Sequence, residues 1–212
     1  MKILTRKSGG FSLIEVAIAV VVIGLVASFA LKGKELINTV KLRSVAEQVS
    51  AIKLATQTFV DKYGALPGDF SQAREMIHDS LANGTGKGSI SSVDDAKRFW
   101  QHLVASELLN MELVNGHPIS KIGGYYTVSS NIAGHPGTWI ILCRNTRDNQ
   151  SFEGILSPAD AYFIDKNNDT GNPTTGEIQT IKGISASGEC FIGSQYNLKN
   201  KNKDCVIIFK IW

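Results

Sequence analysis

The chain has 212 residues, 43% of them apolar and 19% charged. That is the make-up of an ordinary folded protein, which excludes a disordered polymer and a polytopic membrane protein. Lys2, Arg6 and Lys7 account for the whole formal charge of +3, so the rest of the chain is neutral and no broad basic surface for nucleic acid is indicated. The three cysteines Cys143, Cys190 and Cys205 all lie in the second half, an odd count that sets no framework by itself.

Residues 11–31, FSLIEVAIAVVVIGLVASFAL, number 21 and carry one charge, Glu15. A helix of about 20 apolar residues crosses a bilayer. A charge at that depth costs about 2.5–3.5 kcal/mol on insertion scales, so Glu15 needs a partner. A secretory signal cut at VAS (residues 26–28) leaves Glu15 in its apolar core and gives Gly9-Gly10 no task. A plain membrane anchor gives Glu15 no partner.

Basic residues, then Gly9-Gly10, then FSLIE and a long apolar run resemble the class III signal of type IV pilins and type II secretion pseudopilins, carried by Gly10, Phe11 and Glu15 at fixed spacing. The resemblance implies that a prepilin peptidase cuts after Gly10, that Phe11 becomes the N-methylated first residue, and that Glu15 meets the N-terminal amine of a neighbouring subunit. Physically, a charge too costly to leave alone in lipid becomes a register device when only another subunit supplies its counter-ion. The implied organisation is a cytoplasmic leader (1–10), a transmembrane and filament-core helix (11–31), its amphipathic continuation (32–63) and a periplasmic or extracellular head (64–212). The implied location is the bacterial inner membrane, crossed once, with the head in the periplasm, and then a periplasmic or cell-surface filament. The implied partners are membrane lipid, the peptidase, the inner-membrane assembly machinery and other pilin subunits.

The helical pattern continues past the apolar run. Ile37, Val40, Val45, Val49, Ile52, Phe59 and Tyr63 recur mostly at three- and four-residue steps, with no Gly or Pro between Glu35 and Tyr63. One helix is expected over residues 11–63, stopped by Gly64 and Pro67. Pro67-Gly68, in an LPGD stretch like that of pilin-like proteins, favours a type II turn. A second amphipathic helix is expected over 93–109, capped by Ser91 or Ser92, with Phe99 and Trp100 in the core. Strands follow at YYTVS, TWIILC, EIQTI and CVIIFKIW, with a helix in SPADAYFIDK capped by Ser157. The fold class is therefore α+β. The pilin resemblance implies a lollipop, its long N-terminal helix packed by the second half on a small head of antiparallel strands and short helices.

Cys190 and Cys205 enclose the polar loop FIGSQYNLKNKNKD, which suits a disulfide in an oxidising compartment; two buried thiols is the other reading. Asp165, Asn167 and Asp169 stand at i, i+2 and i+4, as in a calcium loop. Gly171 comes one residue late and position 12 is Gly176 rather than Glu, so the EF-hand pattern fails. The cluster is read first as an Asx-rich turn that opens a hairpin, with calcium the alternative. ANGTGKGSISS is not a phosphate-binding loop, because Leu81 and Gly88 stand where Gly and Ser or Thr are required. His78, His102, His117 and His135 have no metal spacing; His117-Pro118 and His135-Pro136 read as turns. With no catalytic motif, the expectation is a structural subunit and not an enzyme. The alternatives are an anchored or Sec-secreted periplasmic binding module, and a DNA-uptake competence pilin using Lys199, Lys201 and Lys203.

Overall fold

The computed structural model of the chain describes residues 10–145, 148 and 150–211. Of the expected leader, residues 1–10, positions 1–9 lie outside the described residues. The chain divides between Val40 and Lys41 into two units, each described by itself.

The first unit is helical from Leu13, the start of α1 (Leu13–Tyr63). Its apolar side chains are exposed around the whole helix, from Leu13 (91%) to Phe29 (72%). A helix apolar all round is one made for an apolar surrounding. Among the described residues it is the one helix long and apolar enough to cross a membrane. Inside it Ser28 Oγ donates to Gly24 O at 2.9 Å, which satisfies a hydroxyl that lipid would not.

The second unit starts at Lys41, and there the helix is amphipathic. Leu42, Val45, Val49, Ile52, Ala55 and Phe59 are buried, whereas Ile37 and Val40 are exposed, so the buried stripe begins later than the periodicity predicts. α1 ends at Tyr63, where Gly64 takes a positive φ. In the turn that follows, Asp69 N donates to Leu66 O at 3.1 Å and Gly68 sits at φ 79, as a type II turn requires. A one-turn helix, α2 (Ala73–Met76), is unanticipated. Helix α3 (Val93–Ala105) opens with a capping box, Ser92 Oγ accepting from Asp95 N while Asp95 accepts from Ser92 N. It stops four residues before the predicted end, because Glu107 takes φ 61 and Leu108 and Leu109 both donate to Leu103 O.

Two short strands, β1 (Leu113–Val114) and β2 (His117–Pro118), pair antiparallel, so His117 is in a strand and not the turn its Pro neighbour suggests. Likewise His135-Pro136 opens β4 (His135–Cys143), after the two-residue turn Ala133-Gly134 that joins it to β3 (Tyr125–Ile132). Both turn residues have positive φ, which matches the twist of an antiparallel hairpin. Helix α4 (Pro158–Asn168) starts under the Ser157 cap. β5 (Ile178–Lys182) and β8 (Cys205–Lys210) complete an antiparallel sheet in the order β3-β4-β8-β5. The Asx-rich turn after α4 is therefore present but opens no hairpin, since β5 pairs with the distant β8. β6 (Phe191–Ile192) and β7 (Gln195–Tyr196) form a small ribbon between them.

One sheet face, with Tyr126, Val128, Ile140, Leu142, Ile207 and Phe209, shares a core with Val45, Val49, Ile52 and Phe59 of α1 and Phe99 and Trp100 of α3. The other face, with Ile132, Trp139, Ile141, Val206 and Ile208, packs on Phe152. Burial on both faces is why β8 reads as the unbroken run CVIIF rather than alternating. Each fully buried aliphatic or aromatic side chain contributes about 1.5–3 kcal/mol. The fold is thus α+β, with the second half of a long helix packed on a small antiparallel head.

Candidate functional site

At the N-terminus, Ser12 and Glu15 cap α1 reciprocally. Ser12 N donates to Glu15 Oε2 at 2.8 Å and Ile14 N to Ser12 Oγ at 3.4 Å. In the single chain the carboxylate thus has a backbone donor and the positive end of a helix beside it. Among the described residues no side-chain cation pairs with it. Phe11 is 88% exposed. Among the described residues nothing lies within 4 Å of the place a Cβ on Gly10 would take, so none of them requires glycine there.

In the head, Cys190 and Cys205 form a disulfide with a Cα–Cα distance of 5.5 Å, well inside the range such bonds adopt. The loop it closes is organised by Asp204, whose carboxylate accepts from Ser187 N (3.2 Å), Gly188 N (2.9 Å) and Asn200 Nδ2 (3.1 Å). Burial works to raise the Asp204 pKa, but these donors together outweigh it and hold the carboxyl below the usual range. Lys199, Lys201 and Lys203 are exposed on this loop, and Lys201 Nζ donates to Leu198 O at 2.9 Å. Cys143, the last residue of β4, is buried, its thiol pushed up to about 12 chiefly by burial and further by Glu153.

Asp165, Asn167 and Asp169 are not brought together. Asp165 is fully buried, with Oδ1 accepting from Gly171 N (2.8 Å) and Oδ2 from Tyr196 Oη (2.8 Å). Asn167, two positions along α4 and so on the opposite side of the helix, is exposed and donates to Phe163 O at 2.6 Å. Asp169 follows the helix and accepts from Ile178 N at 2.8 Å. So arranged, the three side chains do not fit a calcium ion. Among the described residues no group of three or more His, Cys, Asp or Glu side chains is placed to hold a metal.

Two features escape sequence reasoning. His102, on the buried face of α3, accepts from Gly68 N at 3.0 Å through Nδ1 and places Nε2 3.0 Å from Ala82 O. It ties the turn after α1 to α3, a role that no spacing in the sequence announces. The other is a groove of 840 Å³ lined by Glu47, Ala51, Leu54, Leu108, Met111 and Ile119. Its one sequence signal is Leu54, an apolar residue off the buried stripe of α1.

Residues 5–31 match the family model of the prokaryotic N-terminal methylation motif, and the chain carries that motif. No curated protein matches the chain. Among solved structures it is similar to the major type IV pilin PilA1 from Clostridium difficile, at 13% identity and a TM-score of 0.40, over 82% of this chain and 96% of that one.

Proposed function

We propose that the chain is a structural subunit, a pilin or pseudopilin, of a type IV pilus or type II secretion filament. The observation that carries this reading is Glu15, a carboxylate at the start of a helix exposed on all its apolar sides, inside the methylation motif. The precursor enters the inner membrane with its N-terminus in the cytoplasm, and prepilin peptidase cuts after Gly10. Phe11 becomes the methylated first residue, and the assembly machinery draws the subunit from lipid into a filament of packed helices. There Glu15 meets the amine of a neighbouring Phe11, and the pairing fixes axial register. The role is mechanical.

The test is the intact mass and N-terminal residue of the membrane-extracted chain, produced with and without prepilin peptidase. A chain starting at N-methylated Phe11 only when the peptidase is present supports the filament pathway. The groove beside Leu54 favours a second reading, an anchored or secreted periplasmic binding module. That reading expects a start near Phe29 or an uncut chain, and either result overturns the filament pathway.

A further inference from the structure

The groove on the second unit has an apolar wall that the fold leaves uncovered, with Leu54 69% and Ile119 45% exposed. Glu47, Ala51, Leu54 and Thr58 follow one another along α1 at three- and four-residue steps and make that wall straight for about 16 Å at the helical rise per residue. Facing it run Leu108, Met111 and Ile119. A straight trough of this length takes a rod better than a loop tip or a compact ligand.

The first unit carries a rod with an uncovered ridge. Leu36 (65%), Ile37 (58%) and Val40 (57%) are exposed on α1. Lys32, Leu36 and Val40 lie four residues apart along one face of the helix; Lys34, two positions on, lies on the opposite side, and Glu35 is turned away from Val40 but stands three positions from Lys32. The charges match: two carboxylates, Glu47 and Glu112, against one ammonium, Lys121, line the groove, while Lys32 stands on the ridge. The alternative occupant within the same chain chemistry, Leu198 of the basic loop, is 46% exposed and offers one apolar side chain in place of three.

We propose that this groove seats a second copy of the chain, filled by residues 32–40 of that copy's α1, with its Lys32 toward Glu112. The assignment deepens the filament reading and rests on it for bringing copies side by side. It says where a neighbour's helix lies against the head, which pairing at Glu15 leaves open.

The experiment co-produces two full-length chains of different tag length with prepilin peptidase and the inner-membrane assembly machinery, one carrying Leu54→Cys and the other Val40→Cys. They are crosslinked in membranes with a short bis-maleimide. Both positions are exposed, so the fold tolerates the changes. In parallel, Leu54→Cys is paired with Leu198→Cys, and filaments of the unsubstituted chain are scored by electron microscopy. The expected result is a 54–40 heterodimer at least about tenfold more abundant than the 54–198 one, the ratio given by about 1.4 kcal/mol. Lys32→Glu in the Val40→Cys chain lowers it, and Glu112→Lys in the other restores it. A dominant 54–198 product, or no crosslink from either pair, overturns the assignment. Filaments without the 54–40 crosslink sink this assignment alone; the crosslink without filaments supports it and sinks the filament reading.

Discussion

Tyr196 donates its phenolic hydrogen to Asp165 Oδ2 at 2.8 Å, and its oxygen lies 2.9 Å from Thr180 Oγ1. The three residues come from β7, α4 and β5, so one buried contact pins the disulfide-closed loop to a helix and to the sheet. Burial foremost, with Asp169 adding to it, raises the Asp165 pKa against the opposing pull of its donors Tyr196 and Gly171.

That network predicts the pH behaviour of Tyr196→Phe. Asp165 keeps its proton to higher pH in the folded chain than in the unfolded one. The folded state therefore binds more protons above about pH 3.9, and its stability falls as pH rises through that window. Losing the Tyr196 donor raises the folded pKa further. The substitution should cost about 1–3 kcal/mol at neutral pH, and less where both states are protonated, below about pH 4. Urea unfolding of the full chain in detergent at the two pH values checks this; an equal cost at both would mean the bond does not act through the Asp165 charge.

The disulfide gives a second expectation. Cys190 and Cys205 are 15 residues apart, and closing a loop of about 15 residues stabilises by about 3 kcal/mol in the chain-entropy account. Cys190→Ser with Cys205→Ser should lower unfolding stability by about that much, as should reductant acting on the native chain. Cys143, buried with its thiol pushed up to about 12, should stay unalkylated at neutral pH until the chain unfolds. Urea unfolding reads the first expectation and mass shift after alkylation the second.

The sequence disclosed the parts governed by local rules. The methylation signal, the long helix with its stop at Gly64, the Ser92 and Ser157 caps and the four main strands all rest on neighbours a few residues apart. The parts that were not legible depend on distant contacts. The end of α3 is set by Glu107 and Leu103 folding the chain back, not by a missing apolar residue. His117 lies in a strand because β1 offers it a partner across Asn115-Gly116. The spacing of Asp165, Asn167 and Asp169 suggests a metal loop only if the segment is a loop. Here α4 runs through Asn168, and helical geometry separates the first two side chains. The groove was hidden because its second wall comes from residues more than 50 positions beyond Leu54.

His102 makes the head acid-sensitive. With Nδ1 accepting from Gly68 N, the ring must be neutral and carry its hydrogen on Nε2, toward Ala82 O. Burial foremost lowers its pKa and Arg98 adds to this, against the pull of Ala82; His117 is lowered by burial as well. The unfolded chain then binds more protons below about pH 6.5, so stability rises with pH through that window and levels off above it. Unfolding measured from neutral pH down to about pH 5 should show the loss. His102→Asn should flatten part of the slope and leave the part due to His117. An unchanged slope would assign the whole effect elsewhere.

Gly64 and Gly68 should separate strain from steric conflict. Both have positive φ, 67 and 79. A Cβ on Gly64 meets nothing within 4 Å, whereas on Gly68 it would lie 2.5 Å from Asp95 O and 2.7 Å from Phe99 N, backbone atoms that α3 holds in place. Gly64→Ala should cost about 1–2 kcal/mol, the left-handed penalty alone. Gly68→Ala should cost more, because α3 must shift as well. Thermal unfolding of the two variants side by side tests the ranking, and equal losses would refute the close packing of the turn on α3.

Glu15 does two jobs that substitution can part. Its carboxylate accepts from Ser12 N at 2.8 Å, which a neutral amide can also do. Its charge, by contrast, meets the positive end of the helix in the single chain, and in the proposed filament it also meets a neighbour's cation. Glu15→Gln keeps the cap and loses the charge; Glu15→Ala loses both. Capping alone contributes about 1 kcal/mol, and in the proposed pathway the peptidase acts at the Gly10 backbone, five residues before Glu15. Both variants should therefore still be cut to Phe11 in the presence of prepilin peptidase. Both should enter filaments at least about tenfold less than the parent chain, since about 1.4 kcal/mol per subunit already gives that factor. The measurement is the ratio of filament-borne to membrane-retained processed chain. If Glu15→Gln assembles like the parent while Glu15→Ala does not, the residue acts as a cap and the register role falls. Equal failure of the two, with cleavage intact, isolates the charge as what the neighbouring subunit reads.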